Sequence, residues 1–131
     1  MSPVRNLKSI PPKRILIVDD EPQVANTIRL LLEMGGHTIE IAEDAERALA
    51  IYEPAKFDLV ITDLSLPKMN GLDLARALRT LVATQPIILI TAYAESIARD
   101  KERLANVNFL MGKPFSIEQL QDALTSIFPA A

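Results

Sequence analysis

Four short apolar runs in this chain each end on polar residues that could do chemistry. Ile15–Val18 runs into Asp19, Asp20 and Glu21, and Leu59–Ile61 runs through Thr62 into Asp63. Ile87–Ile90 runs into Thr91, and Phe109–Gly112 runs into Lys113 and Pro114. Asp19, Asp20 and Asp63 are hard oxygen donors, and carboxylates brought together repel one another strongly where the dielectric is low. A hard divalent cation resolves that repulsion. Mg²⁺ suits it best, being commonly held by one or two carboxylates while keeping positions for water and phosphate oxygens. The bland counterpart is an acidic triplet that merely favours the start of the next helix. Lys113 places a compact ammonium where it can meet an anion or pair with a carboxylate. Thr91 offers a hydroxyl to a phosphoryl oxygen, and the small Ala92 after it leaves the approach open; alone, Thr91 is an ordinary strand residue. A metal site, a carboxylate nucleophile, a hydroxyl donor and a cation together are the parts for phosphoryl transfer to an aspartate.

The elements that must position these residues follow from periodicity. Bare runs rich in Ile and Val are what parallel strands covered on both faces look like. Strands are expected at Lys13–Asp19, His37–Ala42, Phe57–Asp63, Pro86–Thr91 and Val107–Met111. Between them, helical patterns carry inward stripes of Val24, Ile28, Leu31 and Leu32, then Ala48, Leu49 and Tyr52, then Leu74, Leu78 and Leu81. A fourth helix is expected over Glu95–Ala105, charged and with little apolar surface beyond Ile97, Ala98 and Leu104. A fifth is capped by Ser116 with Gln119 at capping-box spacing. Strict alternation of strand and helix implies a parallel sheet with helices on both faces. In such sheets, ligands bind beyond the carboxyl ends of the strands.

Bulk properties narrow the rest. The 131 residues make one domain, 49% hydrophobic and 24% charged, with net charge −3, which offers no basic stripe for nucleic acid. The chain has no cysteine, so it carries no disulfide, thiolate zinc site or cysteine nucleophile. No run approaches the length of a membrane span, and the first residues lack the apolar core of a signal peptide. His37, the only histidine, has no apparent partner and is expected at the surface. Residues 1–12 and 129–131 are expected as tails around a domain at 13–128.

On Ile15–Glu21, Asp63 through Pro67 to Gly71, Ile90-Thr91-Ala92 and Lys113-Pro114-Phe115, the chain resembles the receiver domain of two-component response regulators, including the stand-alone chemotaxis type. The resemblance implies a flavodoxin-like doubly wound fold, five parallel strands in the order 2-1-3-4-5. It implies that Asp63 is the phosphoacceptor, served by a sensor histidine kinase or a histidine phosphotransfer protein. Asp20 then ligates Mg²⁺ directly, Asp19 partly through water, and Ser65 through its backbone carbonyl. Lys113 contacts the phosphoryl group, Thr91 moves onto it, and Pro114 follows a cis peptide. Ser65 and Tyr93 occupy positions that tune phosphoryl loss. The fourth helix, fifth strand and fifth helix form the face for an effector or a second copy, in a cytoplasmic protein with no direct nucleic-acid or membrane contact.

One position departs from the family pattern. An aromatic residue usually stands three before the lysine, and here that residue is Leu110, with Phe109 one earlier and on the opposite face of its strand. Two other functions stay open on the residues: a degenerate receiver that is never phosphorylated and acts as an interaction module, and a Mg²⁺-dependent phosphohydrolase with an aspartyl nucleophile. The second would want a carboxylate two residues after Asp63, where Ser65 stands.

Overall fold

The apolar runs fold as strands, and in the computed structural model, which describes residues 10–129, all five lie in one parallel sheet. They are β1 (Arg14–Val18), β2 (Thr38–Ala42), β3 (Leu59–Asp63), β4 (Ile87–Thr91) and β5 (Phe109–Gly112). Their order is β2-β1-β3-β4-β5. This is the flavodoxin-like arrangement, and it puts the three most buried strands in the middle. β3 and β4 are buried at every residue and β1 at all but Arg14, whereas the edge strands β2 and β5 are partly open.

Alternation along the strands divides the core between two faces. Ile15, Ile17, Ile61 and Ile88 point to one side, under α1 (Pro22–Met34) and α5 (Ile117–Ile127). Leu16, Val18, Val60 and Ile87 point to the other, under α2 (Ala45–Ile51) and α3 (Gly71–Leu81). Burying each such side chain is worth about 2 kcal/mol. The exposed Arg14–Asp58 ion pair, 3.1 Å long, is screened by water and adds little beside that. The apolar stripes therefore set the strand register, and the surface charges follow it. Ile10, within the segment expected as a tail, is buried in the first of these clusters; residues 1–9 lie outside the described part.

Side-chain caps start three of the helices, the one at Ser116 as its spacing with Gln119 predicts. Asp44 accepts from the Arg47 N–H at 2.7 Å and Asn70 from the Asp73 N–H at 2.9 Å. Ser116 accepts from the Gln119 N–H at 3.1 Å while its own N–H donates to Gln119 Oε1 at 2.7 Å, a complete capping box.

Four expectations are corrected. Along α1 the deepest residues are Ala25, Ile28 and Leu32, with Val24 and Leu31 only partly covered. Leu81 is 56% exposed, because the stripe Gly71, Leu74, Ala75, Leu78 continues at i+4 to Val82, which packs on the core instead. The fourth helix, α4, is only Ala94–Ile97, and the rest of the expected span is a series of turns. The Asp100 carboxylate accepts from the Arg103 N–H at 3.1 Å, so the backbone starts a fresh turn there rather than extending the helix.

His37 is the fourth correction, being 4% exposed rather than at the surface. It follows Gly36, whose φ of +91° turns the chain inward. Its Nδ1 accepts from the Lys13 N–H at 2.9 Å, and its Nε2 is buried with no hydrogen-bond partner. Burial, with the nearby Lys13 ammonium, holds the imidazole below its ordinary value of 6.5. The folded state therefore binds fewer protons than the unfolded chain just below that value. Stability is full above pH 6.5 and falls as the pH drops below it, until the folded imidazole also charges. Urea denaturation across this range is expected to show the loss in wild type. His37→Asn, which keeps an acceptor for the Lys13 N–H, should show a shallower one.

Candidate functional site

β1 and β3 are neighbours, so the residues at their carboxyl ends meet. Asp63 closes β3 and is 5% exposed; Asp19 follows β1 and is 3% exposed. Asp20 and Glu21 stand beside them in the open turn before α1. The turn is fixed by the Asp19 N–H on the Ala42 carbonyl at 3.1 Å and by the Glu21 N–H on Asp19 Oδ1 at 2.9 Å. Each of the four acids offers a carboxylate oxygen, and these oxygens lie within 4.8 Å of one another.

Among the described residues, Lys113 is the cation that pairs with them. Lys113, just past β5, reaches over the end of β4 to place Nζ 3.0 Å from Asp63 Oδ2, 3.4 Å from Asp19 Oδ2 and 3.4 Å from Glu21 Oε1. Its backbone N–H donates to the Thr91 carbonyl at 2.9 Å, and the peptide to Pro114 is cis. Burial draws the Lys113 ammonium down, but the carboxylates of Asp63 and Asp19 outweigh it and hold the group above the ordinary lysine value. Burial pushes the Asp19 carboxyl up, and the Glu21 N–H and Lys113 only partly reverse this. Four carboxylates, two of them buried, against the Lys113 ammonium leave a surplus of negative charge on hard oxygen atoms. That donor set fits Mg²⁺.

The remaining residues ring this centre. Thr91, buried at the end of β4, lies one residue past the position that pairs with Asp63, and its Oγ1 accepts from the Tyr93 N–H at 3.0 Å. The Ser65 N–H donates to Asp63 Oδ1 at 3.3 Å. Ala92 and Pro114 line a cavity of about 590 Å³ with Lys113, Glu21 and the apolar side of α1. Tyr93 is 64% exposed and borders a smaller cavity, about 350 Å³, with Gly112 and Lys113. Leu110 stands apart from the acids. It pairs with Leu89 and packs beside Leu72 and Ile97, whereas Phe109 joins the cluster on the opposite face.

Two contributors were not assigned a role from sequence. Glu21 shares Lys113 with the aspartates, and the run of three adjacent acids was its only signal. Gly71 opens α3 directly behind Asp63: a Cβ there would lie 2.2 Å from the Asp63 carbonyl oxygen. A glycine in the first turn of a helix, where propensity disfavours it, is the trace it leaves in the sequence.

The fold is a doubly wound parallel sheet that gathers acids, a hydroxyl and an ammonium at one rim. The model of the response regulator receiver domain matches residues 15–125, and the chain belongs to that family. Among its relatives, it is 32% identical to the transcriptional regulatory protein TrcR of Mycobacterium tuberculosis, over 83% of this chain and 42% of that one. It is 36% identical to the transcriptional regulatory protein ResD of Bacillus subtilis, over 79% of this chain and 42% of that one. The chain thus spans less than half of these relatives. Among solved structures, the chemotaxis response regulator CheY4 of Vibrio cholerae superposes with a TM-score of 0.81 at 26% identity, covering 90% of this chain and all of that one (100%). The response regulator TrrA of Thermotoga maritima, in complex with Mg²⁺-BeF, gives 0.80 at 32% identity over 88% and 99% of the two chains.

The close approach at Gly71 yields a direct test. Gly71→Ala forces a methyl group into the Asp63 backbone, with an expected cost of about 3 kcal/mol, at the upper end for overpacking. Urea denaturation should show that loss, and the amide resonances of Asp63 and Leu64 should shift with it.

Proposed function

We propose that this receiver takes a phosphoryl group onto Asp63 from a phosphohistidine of a sensor histidine kinase or histidine phosphotransfer protein. The observation that carries the reading is the Lys113 ammonium 3.0 Å from the buried Asp63 carboxylate, inside a cluster of four acids. An Asp63 oxygen attacks phosphorus as the bond from phosphorus to the histidine nitrogen breaks. The imidazole leaves with a proton from solvent, and an acyl phosphate forms. Water later cleaves it to inorganic phosphate and the free carboxylate.

Asp19, Asp20, Asp63 and the Ser65 carbonyl are the residues to hold Mg²⁺, which when bound supplies positive charge to the phosphoryl oxygens. Lys113 meets the same oxygens from the β5 side, and its contacts with three carboxylates keep it charged and aimed before a donor arrives. The Thr91 hydroxyl can donate to a phosphoryl oxygen while still accepting from the Tyr93 N–H, which carries its movement to the start of α4. Leu110 takes the place of the usual aromatic residue as a smaller apolar side chain in the strand's normal register. Ser65 and Tyr93, both exposed beside the site, set how readily water reaches the acyl phosphate. The face of α4, β5 and α5 carries the change to an effector or a second copy, and the chemistry is confined to the domain's own phosphorylation and dephosphorylation. Among the described residues no helix is long and apolar enough to cross a membrane, and the reading places the domain in the cytoplasm with the kinase's catalytic part.

Intact-mass spectrometry after incubation with Mg²⁺ and acetyl phosphate tests this. Wild type is expected to gain one phosphoryl group, Asp63→Asn none, and wild type with excess EDTA none. Lys113→Ala should react about 100-fold more slowly, the typical cost of removing one group that stabilises transition-state charge. Absence of an adduct on wild type, together with absence of Mg²⁺-dependent beryllofluoride binding, would overturn the phosphoacceptor reading in favour of a plain interaction module.

A further inference from the structure

The connection from β4 to β5 has a helix-forming sequence but folds in two pieces. Ala94–Ala105 reads Ala-Glu-Ser-Ile-Ala-Arg-Asp-Lys-Glu-Arg-Leu-Ala, nearly all good helix formers. A continuous helix would align Glu95 with Arg99 as a favourable i,i+4 pair. Ile97 and Leu104, seven apart, would share one face. Instead the helical ladder stops after the Ala98 N–H, which bonds to the Ala94 carbonyl at 2.9 Å. The Asp100 N–H then makes a tighter turn onto the Ile97 carbonyl at 2.9 Å, and a new α-turn begins with the Leu104 N–H on the Asp100 carbonyl at 3.1 Å. Among the described residues, the N–H groups of Arg99, Lys101 and Glu102 have no backbone acceptor.

The break sits on one side chain. Asp100 Oδ1 accepts from the Arg103 N–H three residues on, at 3.1 Å, which is the bond of a helix N-cap made in the middle of the segment. Its other oxygen lies 4.0 Å from the Arg103 guanidinium. Aspartate is among the best N-caps and among the poorer residues of a helix interior, so it favours the split on both counts. The apolar anchors do not oppose joining: Ile97 and Leu104 already belong to the one cluster with Leu72, Leu89 and Leu110, and one helix would keep both on the face toward it. The upstream end is tied to Thr91 through the Tyr93 N–H.

We propose that Asp100 is a conformational latch: its capping bond holds residues 94–105 as two short turns, and release of that bond joins them into a single helix. The flank beside β5 then has two shapes available from one sequence. This inference does not depend on whether Asp63 accepts a phosphoryl group.

Three substitutions test it by amide hydrogen exchange and Cα chemical shifts on the full chain. Asp100→Ala removes the cap; Asp100→Glu keeps the charge but caps poorly; Asp100→Asn keeps the cap without the charge. In the Ala and Glu variants, the amides of Arg99, Lys101 and Glu102 should gain helical acceptors. They should exchange about tenfold more slowly, with helical Cα shifts running through Ala105. Asp100→Asn should match wild type. Wild-type exchange in both the Ala and Glu variants would overturn the proposal, as would an Asn variant that joins the helix as they do. If the Ala variant fails to fold, the contrast between Glu and Asn decides.

Discussion

Two buried carboxylates side by side are repulsive whenever both are charged, and at the rim of this sheet Asp19 and Asp63 are held together with one ammonium between them. The apolar strands underneath hold them in place. β1 and β3 are locked by register pairs from Ile15 with Leu59 to Val18 with Thr62, with helices on both faces, so the aspartates cannot separate without exposing core. Lys113 is the counterpart. It arrives from the edge strand, crosses the end of β4 and ties the far side of the sheet to its centre. The same unbalanced charge that makes the rim costly makes it fit to hold a divalent cation and an incoming anion.

The anchoring of the molecule is uneven. The clusters beneath α1 and α5, and beneath α2 and α3, are built from long rows of fully buried aliphatic side chains. Among the described residues the third cluster has only Leu72, Leu89 and Ile97 buried, and α4 contributes a single one of them. Thr91 and Lys113 both border this thinly held quarter. Low apolar burial marks the parts of a protein that open most readily, so the residues facing the charged rim are divided between a firm support and a looser one.

What could be read from the chain follows the same division. The parallel sheet and the gathering of Asp19, Asp63, Thr91 and Lys113 at its rim were legible because uninterrupted Ile and Val runs state both the strand and its covered faces, and the polar residue ending each run states the rim. The strand order came from the resemblance to receiver domains. Features set by a single side chain acting on distant backbone were not legible. His37 is buried because Gly36 turns it under Lys13, a pairing across 24 positions. At the opposite rim Arg79 donates to the Gln85 carbonyl and to Asn108, while Tyr52 donates to the Gln85 side chain. These bonds join three connections that no local pattern relates. Asp100 looked like one more charge on a solvated helix, because composition does not reveal which carboxylate will turn back onto its own backbone.

Gly71 has a mechanical meaning beyond its lack of a side chain. With the start of α3 pressed so closely on the Asp63 carbonyl that even a methyl group is excluded, the corner between β3 and α3 has no slack. The third strand and third helix act there as a stop. The Asp63 backbone therefore has no room to move toward α3. One missing methyl group thus fixes the seat of Asp63 as firmly as the strand pairing does.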